Sequence, residues 1–189
     1  APCLLVGAGS MRGLAGQCAL GVAVVESTAE TRPVEDGAFD VVFARQVLHH
    51  AVDLDRFCQE VFRVLRPGGL FLAVRDHVVS HDAQLDAFFE KHPLHRLYGG
   101  ENAHTLNTYI EAIRNASLSV ELVLAPFDSP INFAPLNDES LRAELAARAS
   151  RVPGMGVLMR IAIANDVMFR VVRRLLSLID NRPGRLYSF

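Results

Sequence analysis

The chain has 189 residues, half of them hydrophobic, and a formal net charge of −2 at pH 7. This length fits one domain with a sizeable core. The small net charge does not indicate a protein that binds nucleic acid, because such proteins usually carry an excess of positive charge. The three cysteines lack the C-x-x-C spacing of zinc sites, and their odd number does not suggest a disulfide framework. No uninterrupted apolar run of about 18 residues and no basic leader occur, so we expect a soluble cytoplasmic protein without a membrane span.

The amino-terminal part alternates short apolar runs with glycine-rich turns. Residues 3–6 predict a buried strand, which leads directly into the turn Gly7-Ala8-Gly9-Ser10. Residues 11–20 predict a helix that its glycines weaken, and residues 22–26 predict a second strand.

Residues 39–75 carry the clearest pattern in the chain. Residues 40–44 predict a strand, and Asp53 is well placed to cap the helix that follows. One face of that helix is apolar, with Leu54, Phe57, Cys58, Val61 and Leu65. Pro67-Gly68-Gly69 predicts the end of the helix, and residues 70–75 predict the next strand. Strand, helix and strand in this order predict a parallel βαβ unit with a right-handed crossover.

The carboxyl-terminal half has weaker patterns that are mostly helical. Arg170, Arg173 and Arg174 share one face of its last helix, which is typical of a solvated surface or of a patch for a phosphorylated or lipid-linked substrate. The predicted elements are a short helix around 85–89, a helix capped by Thr105, a strand at 118–125, an irregular segment at 126–135, a helix from Asn137, a long helix at 156–179 and a final edge strand at 186–189.

The loop at 45–50 is the expected site of chemistry. Ligands of open α/β sheets bind at the carboxyl ends of strands, and this loop follows a strand there. It contains Arg45, Gln46, His49 and His50. Histidine is suited to proton transfer near neutral pH, although His49 is equally compatible with a structural role at a helix entry.

Several segments around this loop resemble class I S-adenosylmethionine (SAM)-dependent methyltransferases, in the type 11 branch that modifies small molecules. The matching residues are Phe39-Asp40 after an acidic turn, Leu48-His49-His50 in the loop, and Arg63-Val64-Leu65-Arg66-Pro67-Gly68-Gly69 before the next strand. The resemblance implies an α/β fold with a Rossmann-like, mostly parallel sheet, flanking helices and C-terminal helical additions. It implies one domain over residues 1–189, with a cofactor-binding half at 1–76 and a substrate side at 77–189.

The resemblance also implies SAM as the cofactor and a small-molecule methyl acceptor, for which we expect a sugar or a glycolipid intermediate. The implied catalytic residues are His49 and His50, with His77 as a further candidate, and His49 would orient or deprotonate the acceptor. The implied cofactor-binding residues are Gly7, Ala8, Gly9, Ser10, Glu26, Thr28, Ala29, Arg45 and Gln46. No spacing matches a metal-ligand motif, so no metal is expected.

The chain departs from the family pattern between Gly9 and Phe39, where one strand–helix unit is missing. Thr28 also replaces the aspartate that contacts adenine in the family. Three explanations remain open: a natural degenerate methyltransferase, an enzyme whose full sequence has further residues here, and an enzyme with a shortened SAM site. The first makes a non-catalytic binding or assembly partner the alternative function. The glycine pattern alone also permits a dinucleotide-binding dehydrogenase, but it is a weak signal.

Overall fold

A computed structural model describes residues 3–6, 34–91 and 102–189, and the elements below are numbered in chain order within those ranges. The chain divides into two compact units. Unit 1 is Ala1–Val123 with Arg182–Phe189, and unit 2 is Leu124–Asn181. The organisation as one domain over residues 1–189 stays a prediction.

No helix in the described ranges combines the length and the apolar character needed to cross a bilayer.

A parallel sheet forms the centre of unit 1. Its described strands are β1 (Cys3–Val6), β2 (Phe39–Arg45) and β3 (Leu65–Val74), in the order β1-β2-β3. Val6 pairs with Ala44, so the carboxyl ends of β1 and β2 lie side by side. The strands predicted at 3–6 and 40–44 are confirmed, whereas the helix predicted at 11–20 and the strand at 22–26 lie outside the described residues.

Helix α1 (Leu54–Val64) connects β2 to β3, which confirms the predicted βαβ unit. The Asp53 carboxylate accepts a hydrogen bond from the Arg56 backbone N–H at 2.9 Å, as a helix cap should. The predicted apolar face is buried, and Phe57 lies 6.4 Å from Phe71 of β3 between ring centroids. Burial raises the pKa of the Cys58 thiol to about 12, so this cysteine is an unreactive packing residue.

Helix α1 ends before the position that the sequence predicts. Its C-cap is Leu65, which is already extended and begins β3, so Pro67-Gly68-Gly69 lies within a strand and does not form the turn after the helix. Arg66 therefore does not belong to the last helical turn. It donates from β3 to the Asp40 carboxylate at 2.9 Å, because the strand brings it beside β2.

An irregularity in the β2–β3 pairing accommodates this segment. The register shifts between Phe39 and Val41, and Gly68 adopts a left-handed φ of 77°. A Cβ added to Gly69 would lie 2.9 Å from the Arg66 carbonyl oxygen, closer than side-chain carbons approach backbone oxygens. Glycine is therefore required at 69 by the close approach of neighbouring backbone.

A second, smaller sheet in unit 1 begins directly after β3. Its strands are β4 (Asp76–Val79), β5 (His104–Thr105) and β6 (Arg185–Tyr187), with β4 parallel to β5 and antiparallel to β6. Arg75 separates β3 from β4 with a left-handed φ of 64°. Phe189 exchanges two backbone hydrogen bonds with Ala73, at 2.7 and 3.1 Å. The predicted final strand is thus confirmed, and it begins one residue earlier.

The remaining helices of unit 1 are α2 (Leu85–Lys91) and α3 (Leu106–Asn115). Thr105 caps α3 as predicted, since its hydroxyl accepts a hydrogen bond from the Thr108 N–H at 3.2 Å. The strand predicted at 118–125 is wrong: residues 118–123 have no strand assignment and pair with none of the described strands. Leu118, Val120 and Val123 are half-buried in this segment, whereas Leu122 is 61% exposed.

Unit 2 is helical. It contains α4 (Pro130–Phe133), α5 (Asp138–Ala149), α6 (Met155–Ala164) and α7 (Asp166–Ile179). Asn137 caps α5 as predicted, but the single helix predicted at 156–179 is wrong. Asn165 is extended, and its side-chain oxygen accepts hydrogen bonds from the N–H groups of Val167 and Met168. An asparagine that satisfies two free N–H groups starts a new helix there.

Gly69→Ala is expected to lower the free energy of unfolding by about 1–3 kcal/mol. The added methyl group would clash with the Arg66 carbonyl oxygen, and paired backbone has little room to move. Urea denaturation followed by circular dichroism measures the change. Gln59→Ala, at an exposed position of α1, is the control and should stay within about 0.5 kcal/mol of the parent protein. Equal midpoints for all three proteins would contradict the close approach at residue 69.

Candidate active site

The end of β2 carries the residues that the sequence marks for chemistry. Arg45 is exposed at the last position of the strand. Gln46 follows with a left-handed φ of 52°, and its backbone N–H donates to the Val74 carbonyl oxygen at 2.9 Å. This bond holds Gln46 at the edge of the sheet, and its left-handed backbone leads the chain into a short 3₁₀ helix, Leu48–His50.

The carboxyl group of Asp76, at the start of β4, holds this turn in place. Its Oδ1 atom accepts hydrogen bonds from the backbone N–H of Val47 at 3.1 Å and of His49 at 3.4 Å. The same oxygen is hydrogen-bonded to Nδ1 of the His49 ring at 2.9 Å. Asp76 is 0% and His49 is 1% exposed. The loop after β2 is therefore fixed by a polar contact that is fully shielded from water.

Burial also changes the acidity of this carboxyl group. Removal from water raises the pKa of Asp76 to about 7, although backbone hydrogen bonds from residues 47–49 and the charge of His77 act in the opposite direction. The second oxygen, Oδ2, has no hydrogen-bond partner.

Three imidazole rings lie in a row beside the carboxyl group. The ring centroid of His49 is 4.2 Å from that of His50 and 4.8 Å from that of His77. Nδ1 of His77 donates to the Gly184 carbonyl oxygen at 2.9 Å, and the Tyr109 hydroxyl donates to the His77 carbonyl oxygen at 3.0 Å. Hydrogen bonds from separate parts of unit 1 thus fix the row, which contains all three histidines that the sequence proposes.

Two guanidinium groups lie at the carboxyl ends of β2 and β3. Burial lowers the pKa of Arg75, and the positive charge of Arg45 lowers it further. Arg45 pairs with Val74, the residue before Arg75, so the two cations lie at the same edge of the sheet. Two neighbouring guanidinium groups favour an anionic partner at this edge of the sheet.

The structure brings together Arg45, Gln46, His49 and His50 as predicted for one loop. The other predicted cofactor residues lie outside the described residues; they are Gly7, Ala8, Gly9, Ser10, Glu26, Thr28 and Ala29. The binding and catalytic roles of all these residues stay predictions. Among the residues that the structure describes, no group of three or more His, Cys, Asp or Glu side chains could hold a metal ion.

Asp76 is the site residue that sequence reasoning missed. It lies directly after a predicted strand, and the rule that selected the loop at 45–50 applies equally to it. Its contact with His49 joins residues 27 positions apart, so no local pattern indicates the pairing.

Asp76→Asn is expected to change how stability depends on pH. The pKa of this group rises from an ordinary 3.8 to about 7 on folding, so the folded state holds the proton more tightly than the unfolded state. Its contribution to stability is therefore complete below pH 3.8 and is lost as the pH rises towards about 7. The Tm of the parent protein should fall more steeply across this window than that of the variant. Asp86→Asn, at an exposed carboxylate, is the control, and parallel curves for Asp76→Asn and the parent would contradict the assignment.

Comparison with known proteins finds similarity to one family over part of the chain. Residues 8–73, about a third of the chain, match a family model described as a methyltransferase domain. The uncharacterized methyltransferase YcgJ of Bacillus subtilis is 41% identical over 63 residues, which cover 33% of this chain and 24% of that protein. A sterol 4-C-methyltransferase of Caenorhabditis elegans is 33% identical over 88 residues, which cover 47% of this chain and 26% of that protein. The matched segments thus span about a quarter of the length of these relatives.

A solved structure supports the fold over a larger part of the chain. A Galdieria sulphuraria protein proposed to be a sarcosine dimethylglycine methyltransferase has a TM-score of 0.54 at 17% identity, covering 94% of this chain and 62% of that one. Likeness at this identity shows the fold alone, and it confirms the predicted Rossmann-like α/β class. The segment that matches the family model contains β2, the loop with His49 and His50, and α1. Residues 8–73 of the chain are therefore similar to a methyltransferase domain, and the described part of the chain has the fold of the class I methyltransferase structures that it matches.

Proposed function

We propose that the protein transfers a methyl group from SAM to a small-molecule acceptor. The proposal is carried by the position of the loop with His49 and His50: it belongs to the matched family segment and lies where the carboxyl ends of β1 and β2 meet. Ligands of open α/β sheets bind at this edge. SAM, when bound, supplies an electrophilic methyl group on a sulfonium.

The described part of the site fits this cofactor on one observation: Arg45 pairs with Val74 of the neighbouring strand, which puts Arg45 and Arg75 at the same edge of the sheet. Guanidinium groups there match the carboxylate of the methionine moiety of SAM. Arg45 and Gln46 would border the cofactor together with the residues that the family resemblance implies. Those residues are Gly7, Ala8, Gly9, Ser10, Glu26, Thr28 and Ala29.

For proton removal from a hydroxyl or amine acceptor we assign His49. The hydrogen bond between Nδ1 and Asp76 fixes the orientation of the ring, and an imidazole held in this way is suited to act as a general base. Asp76 would be a positioning residue, because it fixes the ring and stabilises the imidazolium form while acting only through His49. His50 is less buried than His49, and it would orient the acceptor beside the His49 ring.

For the acceptor we retain the class expected from the sequence, a sugar or a glycolipid intermediate. The Caenorhabditis elegans relative is named as a sterol methyltransferase. An acceptor with an apolar part, such as a glycolipid, is consistent with this similarity. The chemistry assigned to His49 requires a hydroxyl or amine on that acceptor, since a proton must leave it during transfer.

SAM is expected to bind the purified chain with a dissociation constant on the order of micromolar, as measured by isothermal titration calorimetry. Arg45→Gln should weaken binding by about two- to fivefold, the range expected for one exposed ion pair. Arg56→Gln removes the same charge from an exposed position of α1 and should leave the affinity unchanged.

Absence of a binding signal at SAM concentrations up to about millimolar would contradict the proposal. It would favour the alternative, a non-catalytic binding or assembly partner with a degraded cofactor site. If the parent and Arg45→Gln bind SAM with equal affinity, the proposed methyl transfer still stands, but Arg45 does not contact the cofactor.

His49→Ala is expected to lower turnover by about 10²- to 10⁴-fold with an acceptor identified from a panel of sugars and glycolipids, because it removes the proton acceptor. Transfer of a labelled methyl group from SAM measures the rate. His81→Ala, an exposed histidine in the same unit, serves as the matched control. Parent-like turnover in His49→Ala, or a larger loss in His50→Ala, would show that His49 is not the base.

A further inference from the structure

Helix α7 in unit 2 carries an apolar stripe on its outer side. Val167, Val171, Leu175 and Leu178 recur at the spacing of one helix face, and Leu178 is 71% exposed. We call these four residues the α7 stripe. Surface helices normally turn charged or polar residues to this side, and a contiguous exposed apolar patch indicates a surface that binds a partner.

The inner side of α7 is already occupied within unit 2. Phe169 is 1% exposed and belongs to a core cluster with Phe133 and Leu141. Arg173 also lies on this inner side: its guanidinium group is 5.1 Å from the Phe169 ring centroid and 2.8 Å from the Asp138 carboxylate. The α7 stripe is therefore additional to the core of unit 2, and α7 is apolar on two sides.

Helix α6 repeats the same arrangement. Val157, Leu158 and Ile161 are each 66% exposed. Arg160 is the only charged residue in α6, and it lies one helical turn after Val157 on the exposed side. Two consecutive helices of unit 2 thus combine exposed aliphatic side chains with arginine.

Positive charge borders the apolar surface in α7 as well. Arg170 and Arg174 each lie three residues after a member of the α7 stripe, which places them along its edge. Among the described residues, Arg160 and Arg170 form no ion pair, and Arg174 pairs with Asp128. The single acid of α7, Asp166, lies at its first position and is paired with Arg142 at 2.6 Å.

We propose that α6 and α7 dock unit 2 onto the surface of an anionic lipid bilayer. The α7 stripe would enter the boundary between headgroups and acyl chains, while Arg160 and Arg170 contact lipid phosphates. Helices with an aliphatic face bordered by arginine bind membranes in this way, lying in the plane of the interface. Neither helix could span the bilayer. The proposal goes beyond methyl transfer and does not depend on it.

Charge complementarity favours this occupant over protein surfaces. A symmetric contact with a second copy of the chain would bring the arginine border of one α7 close to that of the other, which costs energy through like-charge repulsion. An anionic bilayer offers a phosphate to every arginine and an apolar interior to the α7 stripe, so it satisfies both parts of the surface at once.

Flotation of the purified full chain with vesicles tests the proposal. Vesicles of equal parts phosphatidylcholine and phosphatidylglycerol should bind the chain, and vesicles of phosphatidylcholine alone should bind it much more weakly. Raising the salt concentration should release it, because salt screens the arginines. Arg160→Gln and Arg170→Gln should each weaken binding by about fivefold, the contribution of one cation near an anionic surface.

Leu175→Gln with Leu178→Gln should abolish vesicle binding, because it places amides where the acyl chains would be. The matched controls are Arg114→Gln and Leu122→Gln, which make the same changes at exposed positions of unit 1 and should bind vesicles like the parent. Circular dichroism checks that every variant is folded.

Four results would overturn the proposal, and the first three concern vesicle binding. They are absence of binding by the parent chain, equal binding to neutral and anionic vesicles, and unchanged binding by the Leu175→Gln, Leu178→Gln double variant. A concentration-dependent dimer in light scattering that the double variant abolishes would identify a second copy as the occupant and would also overturn it.

Discussion

The buried carboxyl group of Asp76 is the contact on which the candidate site depends. A carboxylate without partners in the protein interior is strongly destabilising, so the hydrogen bonds from residues 47–49 are needed to offset its burial. The left-handed turn at Arg75 places Asp76 beneath the loop after β2. Removal of this one acceptor would leave buried N–H groups unsatisfied and would remove the hydrogen bond to the His49 ring. The geometry of the loop and the orientation of the imidazole therefore have the same cause.

Local signals in the sequence predicted the parts of the fold that depend on neighbouring residues. Asp53, Thr105 and Asn137 are helix caps because each can satisfy a backbone N–H two or three positions along the chain. The apolar face of α1 and the parallel order of β2 and β3 follow from spacing alone. The loop at 45–50 was predictable for a similar reason, since its position after a strand places it at the ligand-binding edge of the sheet.

Features that depend on distant contacts could not be predicted in this way. Pro67-Gly68-Gly69 usually ends a helix, but pairing with β2 keeps these residues within β3. Asparagine can occur inside a helix or cap a new one. Because the apolar pattern runs on through Asn165, the sequence does not indicate that one helix ends and another begins there. The link between Asp76 and His49 crosses from one sheet to a loop of the other. At Pro67-Gly68-Gly69 and at Asp76 a tertiary contact decides between alternatives that are nearly equal locally, whereas at Asn165 two local alternatives compete.

The two edges of β4 are covered at very different times in the synthesis of the chain. Its parallel neighbour β5 follows within about thirty residues, whereas its antiparallel neighbour β6 comes only after all of unit 2. During synthesis, the edge of β4 that pairs with β6 therefore stays uncovered until residues 185–187 have been made. Uncovered strand edges pair readily with other chains. The helices of unit 2 thus determine how long this vulnerable interval lasts.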